Sequence, residues 1–222
     1  MELTNELSIV CCQACINSYK GTYGEEDPDL LTNVNDFSRE EVAGQIGNYG
    51  TLTLLIFCGT EGWQDILDNV QFWRTDMPEI WFGKNIEAYT GMIGQYEKVR
   101  DIIHNHELIQ QSEEIIVTGH SLGGALATIC SGDLKNNFPG KDIACVTFGS
   151  PRVGGHAFVK RFNQLMPDSL RYVYGSDHVT KVPPTFIGYK HVRTKKQLGK
   201  PSTLSPIEDH EPAKYLSALR RI

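Results

Sequence analysis

The sequence predicts an α/β protein with a largely parallel central sheet flanked by helices. Two observations carry this expectation. Short apolar runs such as "EIIVTG", "IACVTFG" and "LRYVYG" alternate with stretches of helical apolar spacing, the pattern of strands buried on both faces and joined by crossover helices. No internal repeat, low-complexity tract or Pro/Ser-rich linker divides the 222 residues, a length at which a single α/β domain over 1–222 is the simplest expectation.

The elements follow in order. Leu7, Val10, Cys11, Ala14, Cys15 and Ile16 share helical spacing, which predicts a helix over about residues 3–19. A polar, turn-rich section then runs to about residue 38. "EEVAGQIGN" and "TLTLLIFCG" read as two strands meeting at Asn48-Tyr49-Gly50, a hairpin-type turn signal. "EGWQDILDNVQFW" (61–73) places Trp63, Ile66, Leu67, Val70 and Trp73 on one helical face. A long helix is expected over about 85–109, with Tyr89, Ile93, Tyr96, Val99, Ile102 and Ile103 inward. Then come strand 114–119, a helix beginning at Ser121, strand 143–149, a helix near 155–166, strand 170–175, a strand near 188–197 and a short helix over about 212–221. Ligands of such sheets bind at loops beyond the carboxyl ends of the strands, so the chemistry is sought there.

Composition excludes several function classes. The formal net charge is −6, which disfavours a nucleic-acid partner because phosphates are repelled on average. The one basic stretch, "KHVRTKKQLGK" (190–200), reads first as a solvated loop or strand edge. No run approaches the ~20 apolar residues of a membrane-spanning helix. Glu2 and Glu6 stand where a secretory signal would carry basic residues, so the expected location is cytoplasmic by default, or the chain is a processed form. Six cysteines occur, and Cys12-x-x-Cys15 has no second CxxC or nearby His to complete a zinc site. Their helical spacing points to a buried helix face instead.

Gly119-His120-Ser121-Leu122-Gly123 fits G-x-S-x-G between a strand and a helix, the context in which the pentapeptide forms a nucleophile elbow. The flanking glycines let strand and helix approach closely, and the helix N-terminus aims N–H groups at a developing oxyanion. A serine nucleophile on this architecture expects an acid and then a histidine downstream. Asp177 directly follows strand "LRYVYG", while the other acids fall in helices or surface turns. Among the later histidines, position favours His210, in the loop before the last helix, over His191, in an apparent strand, without settling the choice.

Several separated segments resemble the class 3 lipase family, the group that contains the fungal triacylglycerol lipases. "VTGHSLGGALA" is similar to its elbow, and "FGSPRVGGHAF" to its "FGSPRVGN" segment. "RYVYGSDHVTKVPP" resembles the segment carrying the acid, with Thr180 at a common proline position, and "DHEPAKYLSAL" resembles the terminal D-H-x-x-Y segment. The resemblance covers most of residues 40–220. It implies an α/β-hydrolase fold and a Ser121–Asp177–His210 triad, and gives His191, in "GYKHV", a structural role. "LIFCGTEGWQDILDNV" resembles the family's "FRGT…DWLTDL", with Cys58 where arginine is usual. By that likeness Thr60 and the Leu122 backbone N–H form the oxyanion hole. The segment about 69–85 corresponds to the family's lid and is read as a short lid or acyl-pocket wall, with Trp73, Met77, Trp81 and Phe82 as its residues.

The expected activity is hydrolysis of carboxylic esters of lipids, as a triacylglycerol lipase or carboxylesterase working through an acyl-enzyme. Two alternatives stand beside it: a phospholipid or galactolipid acyl hydrolase, and a non-catalytic lipase-like binding or signalling protein. The implied partners are a lipid or other ester substrate and a transient lipid-interface contact. No metal or organic cofactor is implied.

Overall fold

The computed structural model describes residues 1–20, 27–59, 73–193, 195–200 and 208–222. The described helices are α1 (Asn5–Ser18), α2 (Glu79–Phe82), α3 (Thr90–His104), α4 (Glu107–Gln111), α5 (Leu122–Asn137), α6 (His156–Leu165) and α7 (Pro212–Leu219). The strands are β1 (Thr32–Arg39), β2 (Val42–Tyr49), β3 (Leu52–Phe57), β4 (Arg74–Asp76), β5 (Glu87–Tyr89), β6 (Glu114–His120), β7 (Asp142–Phe148), β8 (Leu170–Tyr174) and β9 (Lys195–Leu198). Seven strands form one sheet in the order β1-β2-β3-β6-β7-β8-β9. The β1–β2 and β2–β3 pairs are antiparallel, and every pair from β3 to β9 is parallel.

The central strands are apolar throughout because both sheet faces are covered. Leu55, Phe57, Ile115, Val117, Ile143 and Cys145 point into one core, beneath α3, α5 and α6. Their alternating neighbours Leu54, Ile56, Ile116, Ala144, Val146 and Phe148 point into the other, beneath α1 and α7. Thr4 caps α1, its hydroxyl accepting from the Leu7 N–H at 3.2 Å. All six cysteines are free, and Cys11, Cys12 and Cys15 are wholly buried on α1. Burial pushes their thiols up, Cys15 to about 12, so they behave as small apolar side chains.

Three expectations are corrected by tertiary context. The turn-rich section before residue 38 contains edge strand β1, where Phe37 alone is buried. The single helix expected over 85–109 is three elements. Residues 87–89 pair with 74–76 as β5, with Tyr89 N–H donating to Val153 O at 2.9 Å. The helical remainder is interrupted after His104, where the His106 ring accepts from the Leu108 N–H and starts α4. The strand expected near 188–197 is confined to β9, and Lys190 makes only an isolated bridge to Gly154. The helix expected over 61–73 lies outside the described residues except for Trp73. Among the described residues, no helix is long and apolar enough to cross a membrane.

Candidate active site

Ser121 sits between β6 and α5 with φ 58° and ψ −131°, a conformation that costs a non-glycine residue of order 1–3 kcal/mol and persists only where the surroundings enforce it. The enforcement comes from close approaches. A Cβ at Gly119 would lie 2.3 Å from the Gly123 carbonyl, and one at Gly123 would lie 2.3 Å from Phe57 O. The Ser121 N–H donates to Phe148 O at 3.0 Å, and its carbonyl accepts from the Gly124 N–H at 2.9 Å.

Asp177 is wholly buried in the loop after β8. Its Oδ1 accepts from the Val179 N–H at 2.9 Å. Its Oδ2 accepts from His210 Nδ1 at 2.9 Å and from the Tyr215 hydroxyl at 2.5 Å. Three donors on one buried carboxylate fix it in rotation. The arrangement also assigns the roles of the two ring nitrogens: Nδ1–H donates to Asp177, which leaves Nε2 as the nitrogen that can accept a proton.

The segment carrying His210 is tied to both neighbours. Asp209 Oδ2 accepts from the Ser176 N–H at 2.8 Å, next to Asp177. The His210 carbonyl accepts from His120 Nε2 at 2.7 Å, and His120 Nδ1 accepts from the Tyr19 hydroxyl at 2.8 Å. The two imidazoles lie with centroids 4.4 Å apart. Burial holds His120 well below its ordinary value, and the adjacent His210 adds to this, so His120 is neutral and serves as a strut. Gly149, next to the Phe148 carbonyl that receives the Ser121 N–H, abuts the Asp177–His210 pair. A Cβ there would meet Asp177 Oδ2 at 2.8 Å and His210 Cε1 and Nδ1 at 3.0 Å. Ser121, Asp177 and His210 are therefore gathered at one carboxyl edge.

The other acid and histidine that could compete are engaged elsewhere. Asp133 is buried between α3 and α5, accepting from Tyr96, Arg100 and His104 at 2.7, 2.7 and 2.8 Å. His191 lies outside any strand, its Nε2 2.6 Å from Thr180 O. Burial and then the Arg171 charge push it down to about 3, so it donates as a neutral ring and pins the loop that follows Asp177.

Leu122 opens α5, where backbone N–H groups have no intrahelical acceptor. Thr60 lies outside the described residues. The loop that leads to it is close to the elbow: a Cβ at Gly59 would lie 1.9 Å from the Tyr19 hydroxyl and 2.8 Å from His120 O. Where arginine is usual, Cys58 anchors this loop through its N–H to Ala43 O at 3.0 Å and its thiol to Ser18 O at 3.2 Å.

The lid expectation is not what the described part of 69–85 looks like. Met77, Trp81 and Phe82 are buried. Phe82 fills the space left by Gly132, stacks on Phe158 at 5.1 Å, and Trp81 meets Tyr96 edge-on at 5.0 Å. Gly132 is roughly 16 Å further along α5 than Ser121 at 1.5 Å per residue. These side chains are core under the helix rather than a cover over the serine, because an aromatic cluster buried against a glycine gap gains more apolar burial than one facing solvent. Trp73 is the exception, at 70 % exposure.

Sequence reasoning did not find Tyr215, His120, Tyr19 or Asp209 as supports of this site. Tyr215 and Asp209 carried a readable signal, since both stand in the same short segment as His210.

A family model described as Lipase (class 3) matches residues 54–187. Secreted mono- and diacylglycerol lipase 1 of Fusarium solani is 34 % identical over 109 residues, covering 47 % of this chain and 32 % of that protein. A lipase of Rhizopus niveus is 29 % identical over 144 residues, covering 62 % and 36 %. The chain thus spans about a third of the length of these curated relatives. Among solved structures, a triacylglycerol lipase whose catalytic centre is formed by a serine-protease triad superposes with a TM-score of 0.77. It is 23 % identical, with 87 % of this chain and 79 % of that chain covered, a likeness of fold.

Proposed function

Since the chain belongs to the class 3 lipase family, we propose that it hydrolyses carboxylic ester bonds of lipids through an acyl-enzyme on Ser121, within one α/β-hydrolase domain. The observation that carries this reading is the buried Asp177–His210 hydrogen bond of 2.9 Å beside a serine held at positive φ on a strand-to-helix turn.

The reaction follows from these groups. Ser121 Oγ attacks the ester carbonyl carbon while His210 Nε2 takes the hydroxyl proton. Asp177 orients the imidazole and stabilises the imidazolium without itself being protonated. The Leu122 N–H, with Thr60 as its partner donor, receives the oxyanion, and loss of one such donor costs about 3 kcal/mol. Collapse expels the alcohol, which takes the proton from His210. Water, deprotonated by the same nitrogen, then attacks the acyl carbon and releases the carboxylic acid and the free serine.

The phospholipid or galactolipid alternative differs only in head group and uses the same atoms. A non-catalytic role is disfavoured because all three side chains of the triad are present. p-Nitrophenyl esters of graded acyl length, assayed with wild type and Ser121→Ala, test the reading. Turnover by wild type and its loss in the variant is expected, and preference for long chains marks a lipase over an esterase. Equal rates in both proteins would sink the catalytic reading.

A further inference from the structure

The loop that leaves β8 carries Asp177 near its start, and the carboxylate is only as steady as the chain behind it. Pro183 and Pro184 have no N–H, so this stretch cannot close on itself as a ladder, and its carbonyls need donors from elsewhere. The structure supplies one for each. Asp177 O accepts from the Thr180 hydroxyl at 2.8 Å, His178 O from the Lys181 N–H at 2.9 Å, and Val179 O from the Val182 N–H at 3.2 Å. Thr180 O faces His191 Nε2 at 2.6 Å. The next three carbonyls, of Lys181, Val182 and Pro183, all accept from one residue, Arg152.

Arg152 lies in the connection leaving β7, three residues beyond the Gly149 that abuts the Asp177–His210 pair. Its backbone N–H donates to Val182 O at 2.8 Å, and its Nη1 donates to Pro183 O at 2.7 Å and to Lys181 O. Burial pushes the half-buried guanidinium below its ordinary value. Hydrogen bonds from the charged group to carbonyl dipoles offset that desolvation.

A short chain of contacts leads from this clamp to the carboxylate. The Val182 N–H holds Val179 O, and the Val179 N–H donates to Asp177 Oδ1 at 2.9 Å. Oδ2 is thereby left aimed at His210 Nδ1. The clamp also joins two strand ends, because β7 supplies the Phe148 carbonyl that receives the Ser121 N–H, while β8 leads to Asp177. We propose that Arg152 is a positioning residue for the triad: by fixing three successive carbonyls of the loop behind Asp177, it sets the distance from that carboxylate to His210. The effect on rate rests on the ester-hydrolase reading, whereas the distance is measurable without it.

The test compares Arg152→Ala and Arg152→Lys with the wild type on soluble p-nitrophenyl butyrate. Each is assayed well below its Tm, with kcat referred to the folded fraction measured by circular dichroism, and a crystal structure of each variant is added. Arg152→Ala lowers kcat about 10- to 100-fold, the scale of a misplacement of about 1 Å, with KM within about twofold of wild type. Arg152→Lys keeps the charge but is too short to reach both carbonyls, and its kcat stays at least about fivefold below wild type. In the Arg152→Ala structure Asp177 Oδ2 stands beyond about 3.5 Å from His210 Nδ1, against 2.9 Å in the wild type.

A wild-type kcat in Arg152→Ala, or a loss confined to KM, overturns the proposal. So does a variant structure that keeps the Asp177–His210 contact unchanged. Should Arg152→Ala fail to fold, Arg152→Lys decides by the same kcat and the same distance. Ester turnover by the wild type with no effect of either variant removes the clamp and leaves the hydrolase reading standing. A contact that lengthens in the variants of a protein that turns over no ester does the reverse.

Discussion

Gly149→Ala tests the site's geometry with one methyl group. Gly149 has φ 59°, where an L-residue costs roughly 1–2 kcal/mol. Its Cβ would stand 2.8 Å from Asp177 Oδ2 and 3.0 Å from both Cε1 and Nδ1 of His210. Ordinary contact lies near 3.5 Å, so the pair must move by about 0.5 Å or more. Neither partner has slack, because Asp177 is held by Val179 and Tyr215, and the His210 backbone is held by His120. Misplacement on the scale of 1 Å costs on the order of a hundredfold in rate, so kcat is expected to fall about 10- to 100-fold with KM nearly unchanged. The strain lowers Tm by about 2–8 °C at 2–4 °C per kcal/mol. The assay is steady-state hydrolysis of a soluble p-nitrophenyl ester, with thermal unfolding followed by circular dichroism. A folded Gly149→Ala protein with wild-type kcat would refute the reasoning.

Tyr215→Phe removes one of three donors to a buried carboxylate, a hydrogen bond to charge worth about 1.5–3 kcal/mol. Denaturant unfolding should register that loss, while kcat/KM falls no more than about tenfold because Val179 and His210 still hold Asp177; unchanged stability would contradict the assignment. His120 and His191 are both held below their ordinary values when folded, whereas the unfolded chain titrates both near 6.5. Below that pH the unfolded state binds up to two more protons, so stability is full above about pH 6.5 and drains as pH falls, by up to about 2.7 kcal/mol per unit. Urea unfolding from pH 5 to 8 measures the slope, which His191→Gln should reduce by one proton; a flat profile would show that neither ring is held neutral.

What could be read from the sequence followed what is locally encoded. The central strands were legible because both faces are buried and their apolar runs are continuous. Ser121 was legible because close approach at Gly119 and Gly123 leaves a letter pattern behind. Asp177 and His210 could be placed by chain order and by segments resembling the family. Strand β1, "TNVNDFSR", was not legible because it is an edge that buries only Phe37. The break at Asn105 and the β4–β5 pairing were hidden because residues 85–109 keep helical spacing while Tyr89 is captured by Val153. Met77, Trp81 and Phe82 have the composition of an amphipathic cover, and only the gap at Gly132 reveals that they pack inward. His120 and Tyr19 were missed because a strut between a strand end and a distant helix has no sequence period.

The central claim is that Ser121 is the nucleophile activated by His210. Diethyl p-nitrophenyl phosphate reacts with a serine only when its proton is drawn off, and it leaves a covalent diethylphosphoryl group that peptide mass spectrometry can locate. The account predicts one adduct per chain, on the peptide containing Ser121, absent in Ser121→Ala and slowed by orders of magnitude in His210→Gln. An adduct on another residue, or labelling of Ser121 at the same rate without His210, would contradict it.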